Sequence, residues 1–388
     1  MSWNDAPAKP LSIAIAAAGR FHVLDLAREL HAIGHRVRFY SYVPWSRARS
    51  FALPAECHVS LMPFALPALA WQRLAPGFLP RLRERIMYAA LNYAAILRLR
   101  RCDVFICMSG IYLEAARFAR RRYGARIWFE RGSRHILSQD RILAAIDGAD
   151  RPSRLAVRRE LAGYEMADRI VVPSRHAEES FATTPGLHAK LFRNPYGVDL
   201  GMFPARGPKH ITKAISLLYV GTWSLQKGCD LLEAAVSSID GVRLTHVGAI
   251  GDLRFPELSE RFTHRGPVAQ SELKDFYEAA DLFVLASRQD GFGMVLSQAL
   301  ASGLPVVCTD HTGGGDLAEM PGFASRITVV PAGDADALAE AVRRWRDRLL
   351  GGDAPPPLGE TERQMLSWAA YARRYNAELR RTNAGAVR

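Results

Sequence analysis

The residues best suited to chemistry stand between positions 287 and 315, where the sequence reads SRQDGFGMVLSQALASGLPVVCTDHTGGG. Asp290 precedes a tight glycine loop at 291–293, and Gln298 follows in a segment whose apolar residues recur at helical spacing. A glycine loop at the start of a helix leaves backbone N–H groups free for an anion, and carboxylate and amide side chains bind hydroxyls. The segment therefore predicts a site for a phosphorylated, hydroxyl-rich ligand.

The elements around this loop predict where it lies in a sheet. The apolar run 281–287 is typical of a buried parallel strand, and 294–302 is predicted to be a helix. Gly303 ends that helix, and Pro305 begins the next buried strand. Ligands of open α/β sheets bind at the carboxyl ends of the strands, so this order of elements positions the loop for binding.

Strands and helices alternate along the whole chain, which predicts an α/β fold with parallel sheets. The stretch NPYGVD at 194–199 interrupts the alternation, and a breaker-rich segment follows at 351–359. We therefore expect a first domain at 1–205, a second at 206–365 and a final helix at 366–388.

Composition limits the class of protein. The chain has 388 residues, 49% of them hydrophobic, and contains no apolar run long enough to span a membrane. The five cysteines lack metal-ligand spacing, so buried free thiols in a reducing compartment are expected. The apolar segment 11–17 is interpreted as a first β-strand rather than a signal peptide. These features favour a cytoplasmic protein.

Positive charge is concentrated in the first half. Residues 1–200 contain 30 Lys and Arg against 17 Asp and Glu, whereas residues 201–388 contain 21 against 22. The segment 71–101 mixes arginines with apolar side chains, which suits insertion at an anionic membrane surface. An ordinary amphipathic helix with an arginine-rich polar face is the alternative. We favour the membrane because the charge asymmetry supports it independently, and we expect no nucleic acid because no recognised binding motif accompanies the charge.

The order and spacing of several motifs together resemble one family. These motifs are GRFH at 19–22, ERGSRH at 130–135, NPYGVD at 194–199, YVGTWSLQKG at 219–228 and ADLFVLASRQDGFGMVLSQALASGLPVV at 280–307. The chain resembles the retaining, nucleotide-sugar-dependent glycosyltransferases of family four. This resemblance implies a GT-B fold, with two Rossmann-like domains facing across a cleft. It also implies that the first domain binds the acceptor, that the second binds the donor, and that the last helix returns to the first domain.

The resemblance also assigns roles to single residues. It implies that Lys227 binds the donor diphosphate, that Asp290 contacts the donor sugar, and that Gly19 lets the diphosphate approach the first domain. The predicted catalytic residues are Lys227, His135 and Asp290. The predicted donor-binding residues are Gly19, Thr222, Lys227, Val268, Gly291, Phe292, Gly293, Met294 and Gln298. The predicted acceptor-side residues are Arg20, His22, Ser109, Arg131 and Arg134.

Three positions depart from the family pattern. Asp290 and Gln298 stand where the family usually has two glutamates, so one carboxylate is shorter and the other becomes an uncharged amide. Thr222 replaces a common arginine, whose loss Arg131 or Arg134 could compensate. Met108 and Ser109 occupy the place where many relatives carry a histidine at the end of a strand.

His135 and His22 are the candidate proton carriers on the acceptor side. An imidazole has a pKa near neutrality, which suits a proton relay. The alternative for His135 is a loop histidine that bonds to the backbone.

The sequence thus predicts retaining transfer of a sugar to a glycan or glycolipid hydroxyl at the inner face of the cytoplasmic membrane. No metal is expected, because no Asp-x-Asp motif is present and Lys227 with helix N-termini can carry the phosphate charge. A catalytically weakened pseudo-glycosyltransferase that binds nucleotide or glycan is the main alternative, and an epimerase or phosphorylase of the same fold is a further one.

Overall fold

The computed structural model describes residues 9–75, 77–149, 151–207, 209, 211 and 213–384. Within them, two parallel sheets are flanked by helices. The predicted α/β architecture of two Rossmann-like units is confirmed.

The first sheet has the strand order β3-β2-β1-β4-β5-β6-β7 in the described part of the chain. Its strands alternate with helices because apolar β runs and amphipathic segments alternate in the sequence. The strands are β1 Ser12–Ala16, β2 Arg36–Ser41, β3 His58–Ser60, β4 Val104–Met108, β5 Arg126–Glu130, β6 Arg169–Val172 and β7 Leu191–Arg193. The helices are α1 Phe21–Ala32, α2 Trp45–Arg49, α3 Met62–Leu74, α4 Pro80–Arg98, α5 Leu113–Tyr123, α6 Ile136–Ala144, α7 Arg154–Met166 and α8 Arg175–Glu179.

The second sheet has the order β10-β9-β8-β11-β12-β13 among the described residues. The strands are β8 Ile215–Val220, β9 Val242–Val247, β10 Phe262–Arg265, β11 Leu282–Leu285, β12 Val306–Thr309 and β13 Ile327–Val330. The helices of this half are α9 Cys229–Ser237, α10 Leu273–Ala279, α11 Met294–Ala301, α12 Gly314–Ala318 and α13 Ala335–Leu350. Two more helices follow, α14 Glu360–Met365 and α15 Trp368–Ala384.

The strand order reverses direction once in each sheet. In the first sheet the reversal lies between β1 and β4, and in the second it lies between β8 and β11. At such a point the loops that follow two neighbouring strands turn to opposite sides and leave a crevice for a ligand.

The last helix, α15, packs on the first domain. The ring of Tyr375 lies 5.0 Å from that of Trp128 in β5, and Glu378 forms an ion pair with Arg169 of β6 at 2.8 Å. Tyr375 is fully buried by this packing. The aromatic face of α15 therefore completes the core beneath the first sheet.

No helix in the described ranges is both long and apolar enough to cross a bilayer. All five cysteines are buried and unpaired in the structure.

Candidate active site

An ion pair occupies the crevice of the second sheet. Lys227 follows β8 and Asp290 follows β11, the two strands between which the order reverses. The Lys227 Nζ atom lies 2.6 Å from Asp290 Oδ2, and both side chains keep about a fifth to a quarter of their surface exposed (25% and 20%). A cation and a carboxylate thus meet where an open α/β sheet binds its ligand.

The glycine loop is folded as a helix start. Gly293 has φ +79° and directly precedes α11, and a Cβ there would clash with Leu285 of β11. The Phe292 N–H donates to Asp290 Oδ1 at 3.4 Å, and the Phe292 carbonyl accepts from the Gly313 N–H at 2.7 Å. The half-buried Met294 opens the helix, whose first turn has amide groups without intrahelical acceptors.

The same loop touches the first domain. A Cβ on Gly291 would overlap the carbonyl oxygen of Gly132, which follows β5. Ser174, which follows β6, donates its hydroxyl to the Gly291 carbonyl at 2.6 Å. Nearby, the Gln289 amide donates to the Ser133 hydroxyl at 2.8 Å. The close approach of the loop to Gly132 therefore needs a glycine at 291. Ser174, which bonds to the loop, is a site residue that we did not predict. Its position directly after a buried strand is the signal that could have found it.

Gln298 is buried and already has one partner. Its side-chain oxygen accepts from the Tyr277 hydroxyl at 2.9 Å, and only 7% of the residue is exposed. The amide NH₂ group is the part of Gln298 left to bind a ligand oxygen.

The other donor-side residues surround the crevice less closely. Thr222 is exposed, and its backbone carbonyl accepts from the Tyr219 hydroxyl at 2.7 Å. Val268 is half-buried and packs on the core of the second domain.

The crevice of the first sheet holds Gly19 and Arg20, directly after β1. A Cβ on Gly19 would meet only the ring of Phe21, at 3.3 Å. Arg20 reaches the second domain, where it donates to the Gln270 side chain at 2.7 Å. Ser109 follows the neighbouring strand β4, and its side chain lies outside the described part of the structure. Loops from both crevices thus face each other across the domain boundary.

His22 lies deeper than the predicted acceptor surface. Its Nε2 atom is 3.0 Å from Glu130 Oε2, and its ring packs 4.2 Å from that of Tyr196. Tyr196 in turn packs edge-on against Phe292, with ring centroids 5.4 Å apart. His22 is therefore connected to the glycine loop through an aromatic contact rather than placed beside the Lys227–Asp290 pair.

The two arginines proposed as compensating cations have different surroundings. Arg131 is buried and forms an ion pair with Glu160 at 3.1 Å. Arg134 lies 2.8 Å from the ring of His176, which stacks on His311 at 4.4 Å. Burial, and next the charge of Arg134, lower the pKa of His176 to about 3. Arg134 is thus connected to His311 of the second domain through His176, whereas the ion pair of Arg131 lies within the first domain.

His135 lies in the interior of the first domain. Its Nδ1 atom accepts from the Leu137 N–H at 3.3 Å and caps α6, and its ring packs 5.0 Å from that of Tyr164. Only 4% of the residue is exposed, and Nε2 has no protein partner among the described residues. Burial, together with the nearby Arg131, lowers its pKa to about 4. Direct contact with a substrate would require this loop to move, so its catalytic role stays a prediction.

Over the residues that the structure covers, no three His, Cys, Asp or Glu side chains are grouped so that they could hold a metal ion.

Two Rossmann-like domains whose crevices face each other define the GT-B class of fold. The chain belongs to glycosyltransferase family 4. The family model described as "Glycosyltransferase Family 4" matches residues 20–201, and that described as "Glycosyl transferases group 1" matches residues 214–347.

Individual relatives agree with this assignment. The chain is 31% identical over 189 residues to TuaC of Bacillus subtilis, which is named as a teichuronic acid biosynthesis glycosyltransferase; the match covers 46% of this chain and 47% of TuaC. It is 30% identical over 156 residues to the GDP-mannose:cellobiosyl-diphosphopolyprenol alpha-mannosyltransferase of Xanthomonas oryzae, covering 37% and 40%. These matches span less than half of each relative. The sucrose-phosphate synthase structure from Thermosynechococcus elongatus superposes with a TM-score of 0.70 at 20% identity over 96% of this chain and 99% of that one, which shows the shared fold.

Proposed function

We propose that the protein transfers a sugar, with retention of configuration, from a nucleoside-diphosphate sugar to a hydroxyl of a glycan or glycolipid. The observation that carries the proposal is the Lys227–Asp290 pair, which joins a cation and a carboxylate at the crevice between β8 and β11. Such a pair suits a ligand that has both phosphates and hydroxyls. The name of the Xanthomonas relative, a GDP-mannose-dependent mannosyltransferase, supports a donor of this kind.

The donor would contact three groups of the second domain. The Lys227 ammonium would bind the diphosphate, and the amides at the start of α11 would add N–H dipoles. Asp290 would accept hydrogen bonds from the sugar hydroxyls. The free amide NH₂ of Gln298 would donate to a ribose oxygen, since Tyr277 already bonds to its carbonyl oxygen.

The proposed reaction needs no protein nucleophile. The bond between the anomeric carbon and the β-phosphate oxygen breaks, and the acceptor oxygen forms a new bond on the same face of the sugar. The acceptor proton passes to the departing phosphate, which serves as the base. Negative charge grows on that phosphate, so the fixed cation of Lys227 lowers the barrier. We propose no metal in this step.

The acceptor is proposed to lie at an anionic membrane surface, here the inner face of the cytoplasmic membrane. Segment 71–101 forms the end of α3 and the whole of α4. Four apolar side chains of α4 project into solvent. They are Leu82 (45% exposed), Ile86 (38%), Tyr93 (61%) and Leu97 (57%). This spacing places them on one helical face. An exposed apolar face beside arginines suits the boundary of lipid headgroups and acyl chains.

Thermal stabilisation by a panel of nucleoside diphosphates and nucleotide sugars tests the donor. A saturable rise in melting temperature with one base is expected, because a ligand that binds only the folded state stabilises it. Turnover of that donor with a glycan acceptor would then separate an enzyme from the pseudo-glycosyltransferase. No stabilisation by any nucleotide would contradict the donor assignment.

Sedimentation with vesicles that contain phosphatidylglycerol tests the membrane proposal. We expect the double substitution Leu82→Ser and Leu97→Ser to weaken binding at least fivefold. Leu82→Ser alone is compared with Leu258→Ser, because Leu258 is also an exposed leucine (71%) but belongs to the second domain. If the wild-type protein ignored such vesicles at moderate salt, the membrane proposal would fail while the donor proposal stood.

A further inference from the structure

A second concave surface lies outside the crevices already described. It is a cavity of about 850 Å³ between the amino-terminal ends of α4 and α7, and we call it the arginine groove. Five arginines line it, with only two carboxylates: Arg81, Arg85, Arg151, Arg154 and Arg158 against Glu84 and Asp140. The groove is therefore strongly positive.

Most of these arginines lack an acidic partner in the described part of the chain. Arg151 forms an ion pair with Asp140 at 2.8 Å. Arg158 donates only to the Arg154 carbonyl, at 3.3 Å, and no ion pair involves Arg81 or Arg85 among the residues described. Like charges gathered without counterions repel each other, so an anion bound among them would be stabilised.

The groove continues into a less polar channel. A second cavity of about 700 Å³ shares Arg85, Leu155 and Arg158 with the first. Its further walls are Tyr88, Ala89, Tyr93 and Ile96 together with the polar residues Asn92, Glu114 and Arg159. Glu114 and Arg159 form an ion pair at 2.6 Å, so their charges offset each other. A ligand that fits both parts has an anionic group joined to a hydrocarbon chain.

The groove lies on the substrate side of the first domain. Both α4 and α7 run towards strands, β4 and β6, so their amino-terminal ends lie at the carboxyl edge of the parallel sheet. Arg159 of α7 donates to the carbonyl of Gly110 at 2.8 Å, directly after β4. The next residue on α7, Glu160, pairs with Arg131 in the loop after β5. One helix thus connects the groove with the loops that border the cleft.

We propose that the arginine groove binds the diphosphate of a lipid-linked acceptor and that the channel holds the first part of its hydrocarbon chain. The proposal rests on the proposed transfer to a glycolipid and adds a defined subsite to it. A bulk membrane phospholipid offers similar phosphate chemistry, but its single phosphodiester carries less charge than a diphosphate and uses fewer of the five arginines.

Isothermal titration with farnesyl diphosphate tests the subsite, because this probe combines a diphosphate with a short prenyl chain. Saturable binding to the wild-type protein is expected. The double substitution Arg154→Gln and Arg158→Gln should weaken it at least tenfold. Arg117→Gln with Arg121→Gln is the matched control: both pairs are exposed, lie four residues apart on a helix of the first domain and remove two charges, but the control pair lies on α5. The control should bind within twofold of wild type.

Two further probes separate the sources of phosphate. Inorganic pyrophosphate, which lacks the chain, should bind more weakly than farnesyl diphosphate but should still be weakened by the groove substitutions and not by the control pair, because the arginines contact its phosphates. Vesicles of phosphatidylglycerol, which lack the diphosphate, should discriminate less than threefold between the two double variants. No saturable binding of farnesyl diphosphate, or equal weakening in both double variants, would overturn the subsite. So would a tenfold loss of vesicle binding confined to the groove variant.

Stabilisation by the nucleotide donor is measured on the same variants and should stay unchanged in both. Loss of farnesyl diphosphate binding in the groove variant, with donor binding unchanged, would show that the substitutions affect the subsite alone. Absence of donor binding in the wild-type protein would refute the proposed transfer itself.

Discussion

Lys227 and Asp290 are 63 residues apart in the sequence, yet their side chains meet at 2.6 Å. The lysine ammonium already has an anionic partner, so the proposed binding of a diphosphate would exchange one anion for another. The exchange would release the Asp290 carboxylate towards the hydroxyls of the sugar that the diphosphate carries. In the proposed reaction the pair would therefore couple recognition of the phosphate to recognition of the sugar.

Replacing Lys227 by Ala should weaken binding of the nucleoside diphosphate roughly tenfold to hundredfold, because a charge-assisted hydrogen bond contributes about 1.5–3 kcal/mol. Titration calorimetry measures the change. Lys274→Gln is the control, since Lys274 is an exposed lysine of the same domain on α10. If Lys227→Ala bound the nucleoside diphosphate as tightly as the wild-type protein, Lys227 would not be part of the donor site.

Replacing Asp290 by Asn should affect binding of the nucleoside diphosphate and transfer of the sugar differently. The nucleoside diphosphate should bind as tightly or a few-fold more tightly, because Lys227 loses its competing carboxylate. Transfer of the sugar should fall by about a hundredfold, since the charge-assisted bonds to the sugar hydroxyls are lost. Binding and single-turnover rates measure the two effects, and a parallel loss of both would contradict the coupling.

Replacing Gly291 by Ala should disturb the contact between the domains. The new Cβ would overlap the Gly132 carbonyl, so the loops must separate at a cost of about 1–3 kcal/mol. Chemical denaturation measures the loss. Gly315→Ala in α12 is the control, because no atom lies within 4 Å of a Cβ there, and a gain of up to about 1 kcal/mol is expected.

The two interpretations of His135 predict different results for its substitution by Asn and Ala. If the residue only caps α6, Asn should keep an acceptor for the Leu137 N–H, whereas Ala should lose about 1 kcal/mol of stability. Turnover by the Asn variant then stays close to wild type. A fall of a hundredfold or more in the Asn variant, with stability preserved, would support the proton relay.

Acid should destabilise the fold between about pH 6.5 and pH 4. The pKa values of His135 and His246 are lowered to about 4 and that of His176 to about 3, in each case mainly by burial. In this window the unfolded chain binds protons that the folded protein does not, so stability falls as the pH falls. Melting temperatures at pH 7 and pH 5 measure the effect, and the difference should shrink in His176→Gln. An equal difference in that variant would exclude His176 as a contributor.

The sequence predicts the local structure of this protein better than it predicts contacts between distant segments. The glycine loop, the start of α11 and the parallel strands around them follow from patterns within about 30 residues, and the structure confirms the fold that they imply. The hydrogen bond from Arg20 to Gln270 and the stacking of His176 on His311 join distant segments. No local pattern contains such pairs, because tertiary packing determines them.

His135 illustrates the same limit for a functional residue. Its place after β5 and its residue type both suited a proton carrier, but neither shows which way the ring points. Packing against Tyr164 and Phe181 places the ring inside the domain, where it caps a helix. Side-chain direction in a loop depends on neighbours from other elements, here α7 and the segment after α8.

The packing of α15 on the first domain has a consequence for how the chain is made. Tyr371, Tyr375 and Leu379 are fully buried, and Tyr375 packs on Trp128 of β5, yet all three follow the whole second domain in the sequence. The second domain has its own sheet and can close during translation. The domain that is synthesised first therefore cannot complete its core until the second domain and α15 have also been synthesised.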